Sequence, residues 1–189
     1  MIDRDKISIA VIGLGYVGLP LAVEFSKRYP VVGYDINEQR IIELKSGIDK
    51  TNEIKNFKLK KSKNIIFSSN SNSIKKNNVY IITVPTPVDK NNSPDLNPLK
   101  KASETIGSLI SKGDVIIYES TVYPGATEEI CIPILEKSSN LILNLDFHCG
   151  YSPERINPGD TKHTLVTIKK IISGSNKEVS KFIKVLYSS

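Results

Sequence analysis

The sequence predicts an α/β protein: a doubly wound parallel sheet with helices on both faces, three layers in all. Three observations carry this. Short, β-branched apolar runs recur at strand length, segments of helical period separate them, and the first run passes into its helix through a glycine-rich turn. A chain of 189 residues with 39% hydrophobic and 24% charged side chains suits one such globular domain and excludes a disordered chain.

Residues 7–12 are apolar and uninterrupted, as a strand buried on both faces requires, and Val17, Leu21 and Phe25 then recur at helical spacing. Residues 31–34 form a second strand, followed by a helix carrying Ile41, Ile42 and Leu44. Residues 65–68 and 79–84 read as the third and fourth strands. Asn97-Pro98 opens the next helix, Asn as cap and Pro in the first turn, with Leu99, Ala102, Ile106, Leu109 and Ile110 as its apolar face. Lys112-Gly113-Asp114 stops it before the fifth strand, residues 115–118. Pro124-Gly125 precedes another helix with Ile130 and Ile134 on one side. Residues 147–151 give a sixth strand and 171–173 a further short one. Ser175 and Glu178 then form a capping box ahead of Val179, Phe182, Ile183 and Leu186, in a last helix over about 175–187. No internal repeat or low-complexity linker interrupts this single domain, 1–189.

The net charge of +6 comes partly from Lys55, Lys58, Lys60, Lys61 and Lys63. With Phe57 as its one aromatic, the cluster reads as a solvated face rather than a nucleic-acid surface, so no nucleic-acid partner is expected. A general positive field would also suit anionic ligands. The apolar run at 7–23 lacks a positive leader, contains three glycines and ends at Glu24, so neither a secretory signal nor a membrane span is predicted, and a cytoplasmic protein is. Two cysteines, Cys131 and Cys149, imply no disulfide framework and fit core positions. His148 and His163 show no metal-ligand spacing, so no metal is expected.

Gly13-Leu14-Gly15-Tyr16-Val17-Gly18 lies between the first strand and the first helix. There Gly13 permits the turn, Gly15 lets the backbone approach a pyrophosphate, and Gly18 lets helix and strand pack closely. The helix N-terminus offers free N–H groups and about half a positive charge to phosphates. Asp35 ends the second strand about 20 residues on, where a carboxylate accepts from both ribose hydroxyls. It would repel the 2′-phosphate of NADP, with no Arg at its side to compensate. NAD is therefore the expected cofactor, on a Rossmann-like fold.

Three later segments follow strands at the same sheet edge: Val84-Pro85-Thr86-Pro87, Tyr118-Glu119-Ser120-Thr121-Val122-Tyr123-Pro124-Gly125, and Tyr151-Ser152-Pro153-Glu154-Arg155-Ile156-Asn157-Pro158-Gly159. With residues 13–20 they resemble the N-terminal NAD-binding domain of the UDP-glucose/GDP-mannose dehydrogenase family, over essentially the whole chain. The likeness is greatest to the branch that oxidises UDP-N-acetylhexosamines for capsule, Vi and O-antigen polysaccharides. The resemblance implies a four-electron oxidation of the C6 hydroxyl of a UDP-sugar to a carboxylate with two NAD, through a cysteine thioester. It implies that Glu154 positions or deprotonates the hydrolytic water with Thr121 beside it. It further implies that Val84, Pro85, Thr86, Ser120 and Thr121 would line the NAD together with Gly13, Gly15, Tyr16, Val17, Gly18 and Asp35, and that Arg155 with Glu154 would reach the substrate. From the residues alone, Glu154–Arg155 also fits a surface ion pair, and Thr121 a helix cap.

The family's nucleophilic cysteine lies in a motif beyond residue 189, so the chain is expected to bind NAD without turning over UDP-sugar by itself. A central helix and C-terminal domain would follow, and the full-length protein would be a homodimer, the 189-residue piece a monomer or a pair. Two other readings stand beside this one: a 3-hydroxyacid or 6-phosphogluconate-type dehydrogenase domain, and a non-catalytic NAD-binding module.

Overall fold

The structure is a computed structural model that describes residues 6–56, 59, 62, 64–88, 90, 93–154 and 168–189. Seven strands form one sheet in the order β3-β2-β1-β4-β5-β6-β7. They are β1 (Ile9–Ile12), β2 (Val31–Tyr34), β3 (Ile65–Ser68), β4 (Val79–Ile82), β5 (Val115–Tyr118), β6 (His148–Tyr151) and β7 (Ser173–Gly174). The first six are parallel and β7 returns antiparallel on β6, giving the expected doubly wound sheet an antiparallel edge.

Alternation along the strands builds two cores. Ile9, Val11, Val79, Ile81, Val115 and Ile117 face helices α1 (Gly18–Phe25), α2 (Glu38–Lys45) and α5 (Lys177–Tyr187). Ala10, Ile12, Tyr80, Ile82, Ile116 and Tyr118 face α3 (Asn97–Gly107) and α4 (Ile132–Ser139). The central strands β1, β4 and β5 are buried at every position, which is why they read as continuous apolar runs.

Several boundaries differ from the sequence reading. Leu96, not Asn97, stands at the start of α3, where Asp95 takes the Asn97 amide at 2.9 Å; Pro98 does sit in the first turn. Asn176 rather than Ser175 caps α5, accepting from Glu178 N and Val179 N, while Ser175 turns away to donate to Asn144. A π-turn at Thr127–Cys131 precedes α4, and its extra residue rotates the face, so Cys131 and Leu135 are buried where Ile130 and Ile134 are only half-buried. The short last strand lies two residues later than expected. Lys58, Lys60, Lys61 and Lys63 lie outside the described residues, and Lys55 is exposed.

Candidate functional site

The strand order reverses its direction of growth between β1 and β4, and a cleft of about 870 Å³ opens there at the carboxyl ends of the strands. Gly13 turns the chain out of β1 with φ +91°, a region that a side chain would strain. A Cβ on Gly18 would stand 1.8 Å from Gly13 O and 2.4 Å from Thr83 Oγ1. The close approach that Gly18 permits is thus to its own loop and to the end of β4. A Cβ on Gly15 would meet no atom within 4 Å, and Gly15 lines the cleft. No side chain caps the start of α1. Its N-terminal amides and partial positive charge therefore remain for an anion, which fits a diphosphate.

The peptide of Leu14, at the middle of that loop, is gripped from both sides. Asp35 Oδ2 accepts from Leu14 N at 2.7 Å, and Arg40 Nε donates to Leu14 O at 2.9 Å. Arg40 is buried and also donates from Nη2 to Asp49 Oδ1 at 2.8 Å. Burial pushes the Asp49 carboxyl up, but hydrogen bonds from Thr51, Ile54 N and Arg40 outweigh it and hold it below the usual range. Arg40 thus meets the same peptide as Asp35, but its charge is matched by Asp49 rather than turned into the cleft, so it does not compensate the Asp35 carboxylate there. Arg40 itself escaped sequence analysis, although it lies one turn into the helix that follows Asp35. Asp35 Oδ1 accepts from Asn37 N at 2.9 Å.

At the other half of the cleft the loops after β4, β5 and β6 are laced together. Ser120 Oγ donates to Val84 O at 2.6 Å and Thr86 Oγ1 to Thr121 O at 2.7 Å. Thr121 Oγ1 reaches Glu154 O at 3.4 Å, and Glu154 N donates to Glu119 O at 3.3 Å. Thr121 caps no helix, since Ala126 precedes the π-turn. Thr83, another residue not singled out in the sequence, donates from Oγ1 to Ile12 O and Gly13 O and so ties β4 to the glycine turn.

Behind these loops lies a buried ionic group. Lys170 Nζ sits 2.5 Å from Glu119 Oε2 and 3.0 Å from Glu154 Oε2, and Tyr187 OH donates to Glu119 Oε1. Burial raises the Glu119 carboxyl, with the Lys170 charge opposing. Burial and the neighbouring Glu119 raise the Tyr187 phenol well above its ordinary range. Glu154 is thereby paired with Lys170. Arg155 lies outside the described residues.

Among the described residues, every cofactor and site residue named from the sequence lines the cleft except Gly18, which is buried. The charge of the lining reverses one expectation. Among the described residues it holds Asp35, Glu104, Glu119 and Glu154 against Lys101, so the excess of positive charge over the whole chain is not mirrored in this lining. Among the described groups, the backbone amides at the start of α1 are the donors best placed for an anion. Cys131 and Cys149 are buried as predicted; burial pushes the Cys131 thiol up to about 11 and raises the Cys149 thiol well above its ordinary range. Among the described residues no cluster of His, Cys, Asp and Glu could hold a metal, and no helix is long and apolar enough to cross a membrane.

Comparison with known proteins agrees with this geometry. The sequence profile of the UDP-glucose/GDP-mannose dehydrogenase family, NAD binding domain, matches residues 7–189. UDP-N-acetyl-D-glucosamine 6-dehydrogenase of Pseudomonas aeruginosa is 57% identical over 181 residues, covering 96% of this chain and 43% of that protein. Its namesake from Salmonella typhi is 54% identical over 187 residues, covering 99% and 44%. The solved UDP-D-ManNAc dehydrogenase of Pyrococcus horikoshii superposes with a TM-score of 0.89 at 35% identity, over 96% of this chain and 44% of that one. The chain thus spans less than half the length of these relatives.

Proposed function

Because this chain belongs to the UDP-glucose/GDP-mannose dehydrogenase family, as its NAD binding domain, we propose that it is the coenzyme half of a UDP-N-acetylhexosamine 6-dehydrogenase. The observation that supports this most directly is the pairing of a glycine loop and Asp35 at one end of the cleft with Thr121 and Glu154 at the other. Relatives named as UDP-N-acetyl-D-glucosamine 6-dehydrogenases point to the substrate class. Nothing on either side favours a hydroxyacid dehydrogenase or a non-catalytic module.

In this reading the amides at the start of α1 hold the diphosphate and Asp35 accepts from the adenosine ribose. Val84, Pro85, Thr86, Ser120 and Thr121 line the far half. NAD, when bound, accepts hydride from C6 of the sugar, and two NAD are consumed per acid formed. Water supplies the second carboxylate oxygen. Glu154 holds or deprotonates that water at a thioester formed with a cysteine supplied from outside these 189 residues, and Thr121 orients it. Arg155 reaches the substrate. The full-length polypeptide acts as a cytoplasmic homodimer in surface-polysaccharide synthesis.

Calorimetry of the 189-residue chain tests the first half of this proposal. One equivalent of NAD should bind, and NADP far more weakly. Folded protein that gives no heat with NAD refutes it. Steady NADH formation from UDP-N-acetylglucosamine by the 189-residue chain alone would refute the assignment of the nucleophile to another segment.

A further inference from the structure

The wall between the far half of the cleft and helix α5 contains a cation between two carboxylates. Lys170 lies on the segment that leads into β7, far in sequence from Glu119 at the end of β5 and close to neither carboxylate along the chain. Its side chain is 10% exposed, that of Glu119 0% and that of Glu154 7%. Such a group is costly to bury and is held together by mutual pairing. It therefore fixes where the carboxylates stand.

We propose that Lys170 is a positioning residue, holding the Glu154 carboxylate in the cleft wall by bridging it to the immobile carboxylate of Glu119. This rests on the reading of Glu154 as the group that handles the hydrolytic water. The asymmetry of the two acids carries the argument. Glu119 is fully enclosed, with Tyr187 OH on one oxygen and Lys170 on the other. It has no room to swing. Both acids border the cleft, but only the Glu154 side chain keeps any exposure, 7% against 0%, and its backbone is tied to β5 by the bond from its amide to Glu119 O. Oε2 of Glu154 is directed by Lys170. Without the ammonium, the bridge that ties the Glu154 carboxylate to Glu119 is lost in a poorly solvated wall. Glu154 is the one that can move, into the cleft. A displacement of about 1 Å at a group of this kind costs on the order of 100-fold in rate.

The phases of NADH release separate this role from a merely structural one. Both hydride transfers precede thioester hydrolysis, so a defect confined to Glu154 spares the first two NADH per site and slows every later turnover. Stopped-flow NADH formation is measured on the natural full-length polypeptide, with UDP-N-acetylglucosamine in excess. Lys170→Met should keep a burst of two NADH per site at near wild-type rate, and lose steady-state turnover by about 10- to 100-fold. Lys170→Arg should recover most of that loss. Glu119→Gln/Lys170→Met removes the buried charge conflict, and should fold and show the same burst and slow steady state should Lys170→Met itself fold poorly. Glu154→Gln, run in parallel, should also burst and then stall. If Glu154→Gln turns over like the wild type, the reading of Glu154 fails and the role of Lys170 with it. If Glu154→Gln stalls while the double variant turns over normally, only the positioning role fails. Burst and steady state falling together, without recovery in the arginine variant, would mark Lys170 as scaffold and overturn the proposal.

Discussion

The two glycines that flank the middle of the loop should fail in different ways when each is replaced by alanine. A Cβ on Gly18 would lie 1.8 Å from Gly13 O, far inside van der Waals contact, and its obstacle is backbone. Overpacking of this kind costs about 1–3 kcal/mol, and a backbone obstacle places Gly18→Ala at the upper end. For a domain of this size that is roughly 6–10 °C in Tm. A Cβ on Gly15 meets nothing within 4 Å, and its φ is not positive, so Gly15→Ala should leave stability unchanged or raise it by a few tenths of a kcal/mol. Its methyl would instead project into the cleft where the diphosphate is proposed to pass. Displacing a phosphate from amide donors by even a fraction of an ångström should weaken NAD by about 10- to 100-fold, or about 1.4–2.8 kcal/mol. Thermal melts without ligand, paired with titration calorimetry, read both quantities from the same samples. Wild-type NAD affinity in Gly15→Ala would refute the placement of the diphosphate on this loop. An unaltered Tm in Gly18→Ala would refute the account of why that position is glycine.

Arg40→Met should cost about 3–5 kcal/mol in chemical denaturation, because it leaves the Asp49 carboxylate buried without its cation, and adding Asp49→Asn should recover part of the loss. Asp114, buried at the start of β5, has a carboxyl raised to about 6 by desolvation against a smaller opposing bond from Ser111 N. A raised carboxyl binds protons more tightly folded than unfolded. Its stabilising contribution is present below the ordinary carboxylate range and lost as pH rises through about 6, so wild-type stability should fall by about 2 kcal/mol from this group between pH 4 and 7, and Asp114→Asn should lack that slope. At pH 8 neither cysteine should react with a thiol reagent until the protein unfolds, native labelling being slower than a free thiol by about two orders of magnitude or more. NAD affinity should change by less than about threefold between 50 and 500 mM salt, since among the described lining residues Lys101 alone is cationic; a steep fall would show side-chain cations at the phosphates.

How much of this was legible in the sequence depends on the range of the interactions involved. Strands β2, β3 and β5 coincide with their apolar runs, because burial on both faces leaves a local signature. The glycine loop and Asp35 were equally legible, since a tight turn and a strand-end acid are requirements of the nearby backbone. Helix starts were less so: Ser175 and Asn176 are both competent caps, and the choice falls to Asn176 because Ser175 is drawn away by Asn144, 31 residues earlier. The π-turn left no composition signal, yet it exchanges which residues of the following helix are buried. Lys170, Tyr187 and Glu119 were invisible as a group for the same reason. They meet across separations of 51 and 68 residues, and a single lysine or tyrosine near a strand or helix end carries no mark of the partner it will find.

The placement of charge in this domain explains why those unseen groups matter. The glycine loop is braced by Arg40 against Asp49, and the far wall by Lys170 against Glu119 and Glu154. Neither Arg40 nor Lys170 lines the cleft, whereas four acids and one lysine do. Arg40 and Lys170 thus brace the walls, and in the proposed mode the backbone amides are left for the anion. That division suits a site in which a diphosphate must be held and also released, because amide dipoles fixed by the fold attract it without the long-range pull of a lysine cluster. It also makes rigidity of the loop the determinant of affinity. Leu14 is held at its N–H by Asp35 and at its C=O by Arg40, so one acid both accepts from the coenzyme's ribose in the proposed mode and sets the loop that cradles its phosphates.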